Sequence, residues 1–345
     1  MNTKKLWIVL SLFVMTAFSQ TSFAQGLNWD GQTGALLTPF AYTAASPAGK
    51  LGKPEISFHY LNTGSVIGNN MQFSVTEGIA KRFEVGFTQS FSAAGSVNAN
   101  AAGLGLPLNV TTANGYPAYI QPASSLFSNG YSGIHGKLTV ISENSFKTKW
   151  VPAIAVGAIG RFGAQRVSYY TTGSSKTQTN GDFYIVATKT VTQVKGLPFV
   201  LSIGDKVTDA SVMGVAGNAG DASGNGVRWQ GRAFGAVAIV VKGPAKSALI
   251  IGSEVAQQPH YIQGLNSFCD AGASALLGTA VTGLKANIPT SESYFVRIVP
   301  HLEGSPMEID LGVAHVGGNI LKVPTVAALN IGADARFGMG VSYHF

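Results

Sequence analysis

Eleven residues have the types and spacing to do chemistry in a shared polar environment: Arg82, Glu84, His135, Lys137, Arg161, Arg228, Arg232, Glu254, Arg297, His301 and Arg336. Each lies in a stretch where apolar residues recur at every second position, and each falls on the opposite register. Glu55, His59, Glu308, Asp310 and His344 share that register. Guanidinium groups present paired N–H donors that match carboxylates, so a wall of arginines and histidines suits anionic or hydroxylated solutes such as acidic sugars. The same charges, enclosed together, can instead pair across a narrow space and hold it rigid.

Catalytic patterns are missing. The chain has no Gly-x-Ser-x-Gly elbow, no His-Glu-x-x-His helix and no phosphate loop. Ser253 and His315 are polar anomalies on apolar registers, where outer-membrane phospholipases carry a serine and a histidine. They fall on strands separated by another strand, which opposes a direct hydrogen bond. The 218–225 loop, with Asp221 and Ser223, lacks the acidic spacing of a calcium site. The single cysteine, Cys269, can form neither an intramolecular disulfide nor a thiolate cluster. No cofactor, metal or enzyme activity is expected.

The elements that must position these residues are strands. In the last eleven residues, Ala335, Phe337, Met339, Val341, Tyr343 and Phe345 alternate with Arg336, Gly338, Gly340, Ser342 and His344. Phe83, Val85, Phe87 and Phe91 likewise oppose Glu84, Gly86, Thr88 and Ser90. Arg82 falls on the polar register at the head of that strand. A strand greasy outward and wet inward belongs to a membrane barrel, where lipid takes the place of a second sheet. Short turns at 77–81, 143–149, 195–198, 242–246 and 304–306 alternate with six longer loops, including 98–129 and 263–291. That alternation predicts an all-β, transmembrane antiparallel β-barrel of about 12 strands, with turns in the periplasm and loops outside. Fourteen is the alternative, with extra strands over 35–44 and 322–331. The face of the strand over 183–194 is not assignable, because Lys189 and Thr190 compete for it. Gly86, Gly157, Gly163, Gly252, Gly312, Gly338 and Gly340 on the inner face would leave room for a solute path or serve backbone curvature.

Targeting and composition agree with export to the outer membrane. Lys4 and Lys5 precede an apolar run from Leu6 to Phe18, and Ser22-Phe23-Ala24 offers a cleavage site, so residues 1–24 read as a signal peptide cut near Ala24. Residues 25–53 are dense in turn residues and are expected at the periplasmic mouth or folded into the lumen, ahead of a barrel over 54–345. Forty-three glycines among 345 residues, 46% hydrophobic and only 11% charged residues fit strands with one face in lipid. The net charge of +7 falls to about +5 without Lys4 and Lys5 and is spread along the chain, which opposes nucleic-acid binding.

The end of the chain, Tyr343 and the final Phe345, resembles the terminal signal of bacterial outer-membrane barrels, which implies the barrel-insertion machinery and outer-membrane lipid as partners. Gly31-Gln-Thr-Gly34, Thr38-Pro39-Phe-Ala41, Ile56-Ser-Phe-His-Tyr60 and Phe83-Glu-Val-Gly-Phe-Thr88 resemble the opening of the YjbH-like outer-membrane proteins associated with exopolysaccharide. The resemblance covers about the first quarter of the mature chain and implies a part in envelope polysaccharide traffic, with anionic saccharides as partners. The expected function is therefore a passive channel or a component of envelope solute transport. The alternative is a closed barrel, plugged by 25–53, that works through its outer loops.

Overall fold

The computed structural model describes residues 26–62, 69–93, 109–111, 117–119, 131–168, 175–192, 197–210, 229–259, 289–301, 306–317, 319–321, 331–332 and 335–345. The expected signal peptide, Arg228, the 218–225 loop, Cys269 and most of the loops at 98–129 and 263–291 lie outside them.

Twelve strands close into one antiparallel barrel. They are β1 (Glu55–Asn62), β2 (Asn69–Ile79), β3 (Phe83–Ala93), β4 (Tyr131–Ile141), β5 (Ala153–Ser168), β6 (Ser175–Val191), β7 (Phe199–Thr208), β8 (Gln230–Lys242), β9 (Ala248–Gln257), β10 (Thr290–Val299), β11 (Met307–Val316) and β12 (Arg336–His344). Each pairs with the next, and β12 returns to β1 from Glu55↔His344 to Leu61↔Gly338. Closure leaves no open edge, as a bilayer requires. Two short ribbons, Asn109–Thr111 with Pro117–Tyr119 and Asn319–Leu321 with Ile331–Gly332, lie outside the barrel sheet.

Alternation sorts the side chains as the sequence predicts. On β3, Phe83, Val85, Phe87 and Phe91 are 44–51% exposed, whereas Glu84 and Thr88 are buried. The same contrast sets Ile251 and Val255 of β9 against Glu254. An apolar exterior around a polar, hydrogen-bonded interior makes this an integral membrane barrel of the bacterial outer-membrane type. Tight turns close its short-loop end. Ala80 and Lys81 both have left-handed φ, at 54° and 62°, and Arg82 N–H closes the turn on Ile79 O at 3.1 Å, a reversal whose hand matches strand twist.

Several sequence expectations shift. Residues 35–44 form no barrel strand, and 322–330 lie outside the described residues, so twelve strands stand. Arg82 sits in the β2–β3 turn rather than on β3, because the left-handed pair before it ends the ladder at Phe83. His301 lies beyond the end of β10 at Val299. The disputed face of β6 resolves with Tyr184, Val186, Thr188 and Thr190 inward. Lys189 faces outward at the rim, where its ammonium reaches Glu143 at 2.9 Å.

Candidate functional site

The lumen is filled by the chain's own N-terminal segment. Residues 26–44 fold inside the barrel, and Leu27, Trp29, Leu36, Phe40 and Tyr42 are all buried there. The segment makes two small loops, pinned by bridges Leu27↔Thr33 and Gly34↔Pro39. In the first, the Asn28 carboxamide oxygen accepts the N–H groups of Asp30 and Gln32, at 3.0 and 2.9 Å. Gly31 takes φ +80° there, and a Cβ would also strike the Ser74 side chain. Residues 46–52 then leave along the short-turn end. Ala80 N–H donates to Lys50 O at 2.8 Å, and Gly52 N–H to Gly78 O at 2.8 Å.

A segment without regular structure carries backbone groups that must find partners elsewhere. Here the wall supplies them. Glu254 of β9 accepts Leu37 N–H, Thr38 N–H and the Thr38 hydroxyl, each at 2.7 Å, and also the Ser293 hydroxyl. Glu84 of β3 accepts Thr33 N–H at 3.1 Å, the Thr33 hydroxyl, and Ala44 N–H at 2.8 Å. Lys137 of β4 lies 3.0 Å from Glu84 and donates to Thr33 O at 2.9 Å. His59, Thr88 and Thr139 donate to the carbonyls of Leu27, Asp30 and Ala41.

The two buried arginines are committed in the same way. Arg297 of β10 binds Asp310 through Nε at 2.7 Å and Nη2 at 3.1 Å, and its Nη1 donates to Gly34 O at 3.1 Å. Gly26 lies against this guanidinium, where any Cβ would overlap it. Arg161 of β5 grips Asp30 of the first loop through Nε at 2.9 Å and Nη2 at 2.7 Å. It also reaches Asp182 at 3.0 Å and Asn180 at 3.1 Å.

The second half of the plug also packs on an apolar patch of the wall. Leu36, Phe40 and Tyr42 pack with Ala155, Ile159, Val186, Val240, Ile250 and Phe295 in one buried cluster. At its edge the Tyr42 hydroxyl donates to Glu143 at 3.0 Å and lies 2.8 Å from the Thr190 hydroxyl. Burial and the neighbouring Glu143 carboxylate raise the Tyr42 pKa above its ordinary value, so the hydroxyl stays protonated.

Of the residues singled out by sequence, Glu84, His135, Lys137, Arg161, Glu254 and Arg297 are thus buried in the lumen and engaged. Arg232 and Arg336 take inward registers, half-buried, near the long-loop end; Arg232 donates to Gly231 O at 2.7 Å and to Gln230. Four of the inner glycines sit against side chains that fill the space beside them. A Cβ would meet the His135 ring at Gly86, Tyr184 at Gly157, Phe295 at Gly252 and the His59 ring at Gly340. These glycines make room for neighbouring side chains. Ser253 and His315 are separated by β10, and Ser253 is level with Val313, two residues from His315, leaving the pair roughly 10 Å or more apart. Tyr343 and Phe345 point outward, exposed, in an edge-to-face contact with centroids 5.0 Å apart.

Three groups escape the sequence reading: Asp30, Asp182 and Lys206. Asp182 lies 3.9 Å from the Lys206 ammonium, and all three border a residual cavity of about 30 Å³ above the first loop. Asn28, Trp29, Arg161, Gln258 and Ser291 complete much of its lining. Just past β7, Asp209 caps Gly181 N–H at 2.8 Å, and burial raises its pKa.

No family model and no curated protein matches this sequence. Solved structures similar to it include the NanC porin, at 7% identity and TM-score 0.42 over 85% of this chain and 100% of that one. The KdgM porin in complex with disordered oligogalacturonate aligns at 10% identity and TM-score 0.41, over 84% and 99%. An outer-membrane channel from Pseudomonas putida F1 aligns at 10% and 0.42, over 87% and 97%. At such identities and scores, none of these likenesses says what this barrel carries.

Proposed function

We propose that the protein is an outer-membrane transport barrel closed at rest by residues 26–44, passing solutes when the plug shifts. The observation that carries this reading is the bonding of the lumen's charged wall groups to the plug. Glu84, Lys137, Glu254 and Arg297, the groups that would line an open pore, hold the plug by its backbone. Such bonds are replaceable by water, at a net cost of about 0.5–3 kcal/mol each. The apolar clamp around Leu36, Phe40 and Tyr42 is not replaceable, and costs roughly 1.5–3 kcal/mol per side chain to expose. The polar first loop, 27–34, is therefore the part that moves, with the second half acting as its anchor.

The solute class favoured is hydroxylated or anionic, because Arg161 and Lys206 stand beside the cavity over that loop and departure of the loop with Asp30 leaves them with Asp182 alone. An envelope-polysaccharide role, implied by the YjbH-like resemblance, fits this class. The test is single-channel conductance of the mature chain in planar bilayers. Wild type is expected to be closed with brief openings, and a chain lacking 26–44 to conduct steadily. Ala41 N–H lies 2.8 Å from the Thr188 hydroxyl, so an Ala41→Cys/Thr188→Cys pair can fasten the anchor to β6. With the anchor fastened, first-loop openings should persist. Steady full conductance of the wild-type chain, unchanged by the deletion, would overturn the plug reading.

A further inference from the structure

Asp30 is the only charged side chain in residues 26–44. Everywhere else the wall meets the plug through neutral groups: Glu254 and Glu84 take N–H and hydroxyl donors, and Arg297 and Lys137 take carbonyls. Only at Arg161 does the plug present a carboxylate, and it does so edge-on to Nε and Nη2, the bidentate geometry any free carboxylate adopts. The Tyr131 hydroxyl donates to the same Asp30 oxygen at 3.3 Å.

We infer that Asp30 is a built-in stand-in for a carboxylate ligand, and that an acidic sugar of the hexuronate class opens the barrel by taking its place on Arg161. The inference rests on the plug reading above and names the ligand that works it. Withdrawal of Asp30 strips the Nε–Nη2 edge of its bidentate partner and leaves Asp182 as the one carboxylate against two cations, Arg161 and Lys206, an imbalance that another carboxylate relieves and water relieves poorly. The arginine is held for that exchange: Asp182 and Asn180 keep Nη2 and Nη1 in place whether or not Asp30 is present. The cavity beside the pair is lined by Asn28, Gln258 and Ser291, groups suited to sugar hydroxyls.

Its size shows why binding and opening are coupled. About 30 Å³ holds two waters at ~10–15 Å³ each, and no sugar. A hexuronate enters only as the first loop leaves. Lys206, whose side chain is 19% exposed against 2% for Arg161, marks the side from which the ligand arrives. Because Asp30 is tethered, it competes at a high local concentration, and the apparent affinity of the wild-type barrel is scaled down by the small fraction of time its loop is out.

The experiment uses the full mature chain in planar bilayers, with glucuronate as probe and glucose as the neutral control. Glucuronate added on the long-loop side should raise the open probability of wild type about tenfold or more, and glucose should leave it unchanged. Asp30→Asn, checked for folding by heat-modifiable mobility, should open without ligand. By calorimetry it should bind glucuronate at least about tenfold more tightly than wild type. Equal responses to glucose and glucuronate, or equal glucuronate affinity in wild type and Asp30→Asn, would overturn the proposal. If Asp30→Asn does not fold, the glucose–glucuronate comparison on wild type decides alone. The chain lacking 26–44 separates the two readings: opened by the deletion but indifferent to glucuronate in wild type, the barrel is plugged and Asp30 is no stand-in.

Discussion

Glu254→Ala isolates the plug from the barrel better than any other single change. The carboxylate is buried, its strand neighbours on β8 and β10 are Ala236 and Ser293, and three of its four accepted bonds come from the plug. Hydrogen bonds to a charged group are worth about 1.5–3 kcal/mol each. Three that share one carboxylate do not add fully, so the docked plug loses about 3–5 kcal/mol, roughly a hundred- to several-thousand-fold in the undocked-to-docked ratio. The apolar clamp, with Leu36, Phe40 and Tyr42 at roughly 1.5–3 kcal/mol apiece, matches or exceeds that loss. The variant should therefore flicker open often without staying open. The assay pairs open-event frequency in bilayers with maleimide labelling of Leu37→Cys in a Cys269→Ser background. Opening and labelling should both rise at least about a hundredfold while heat-modifiable mobility stays unchanged. Wild-type opening frequency together with wild-type protection of position 37 would refute the reasoning, because the wall carboxylate would then not be what holds the second loop.

Other positions test other parts of the arrangement. Gly31→Ala forces a Cβ against Ser74 at φ +80°, a strain of about 1–3 kcal/mol, and should raise open probability by loosening the first loop without affecting barrel assembly. Tyr42→Phe removes the bonds to Glu143 and Thr190 and should cost about 1–3 kcal/mol of plug docking, read as labelling of the second loop. Because the Tyr42 pKa is raised in the folded protein, its contribution is complete below a free tyrosine's pKa of about 10. It is lost only as pH rises through the raised value; openings that increase with pH around neutrality would contradict this. Ile251→Arg, outward on β9, should cost about 2–4 kcal/mol of barrel stability in lipid, measured by denaturant titration in vesicles. A neutral outcome there would mean that this face does not meet lipid.

Period-two alternation made the outward faces legible, because lipid imposes one requirement along a whole strand. On β3 every outward position from Phe83 to Val85 and Phe87 is large and apolar, and inward Glu84 and Thr88 stand out against them. The rule fails where the plug packs its apolar side. On β6 the inward residues include Tyr184 and Val186, which meet the Phe40–Tyr42 cluster, so both faces read as apolar and Asp182 goes unnoticed. The composition of residues 25–53 pointed to a lumen or a periplasmic mouth but not to partners. Thr38 meets Glu254 across 216 positions and Gly34 meets Arg297 across 263, and no local pattern encodes such pairings. No pattern in the sequence singles out Asp30. Its meaning lies in Arg161, 131 positions away.

The division of labour within the plug follows from what water can replace. In a twelve-stranded barrel the wall side chains leave an interior wide enough for a further segment to occupy. If that segment were apolar throughout, its exposure on opening would cost roughly 1.5–3 kcal/mol at every large side chain, and the path would stay shut. If it were polar throughout, nothing would return it to register. Here Leu36, Phe40 and Tyr42 anchor one half against β5–β10, while the 27–34 loop faces Thr76, Thr88, Lys137 and Arg161, whose hydrogen bonds water or a solute can take over. A plug so divided opens by partial release and closes by re-docking on a fixed anchor. Opening should then survive covalent fastening of Ala41 to β6 and cease when the first loop itself is fastened to the wall.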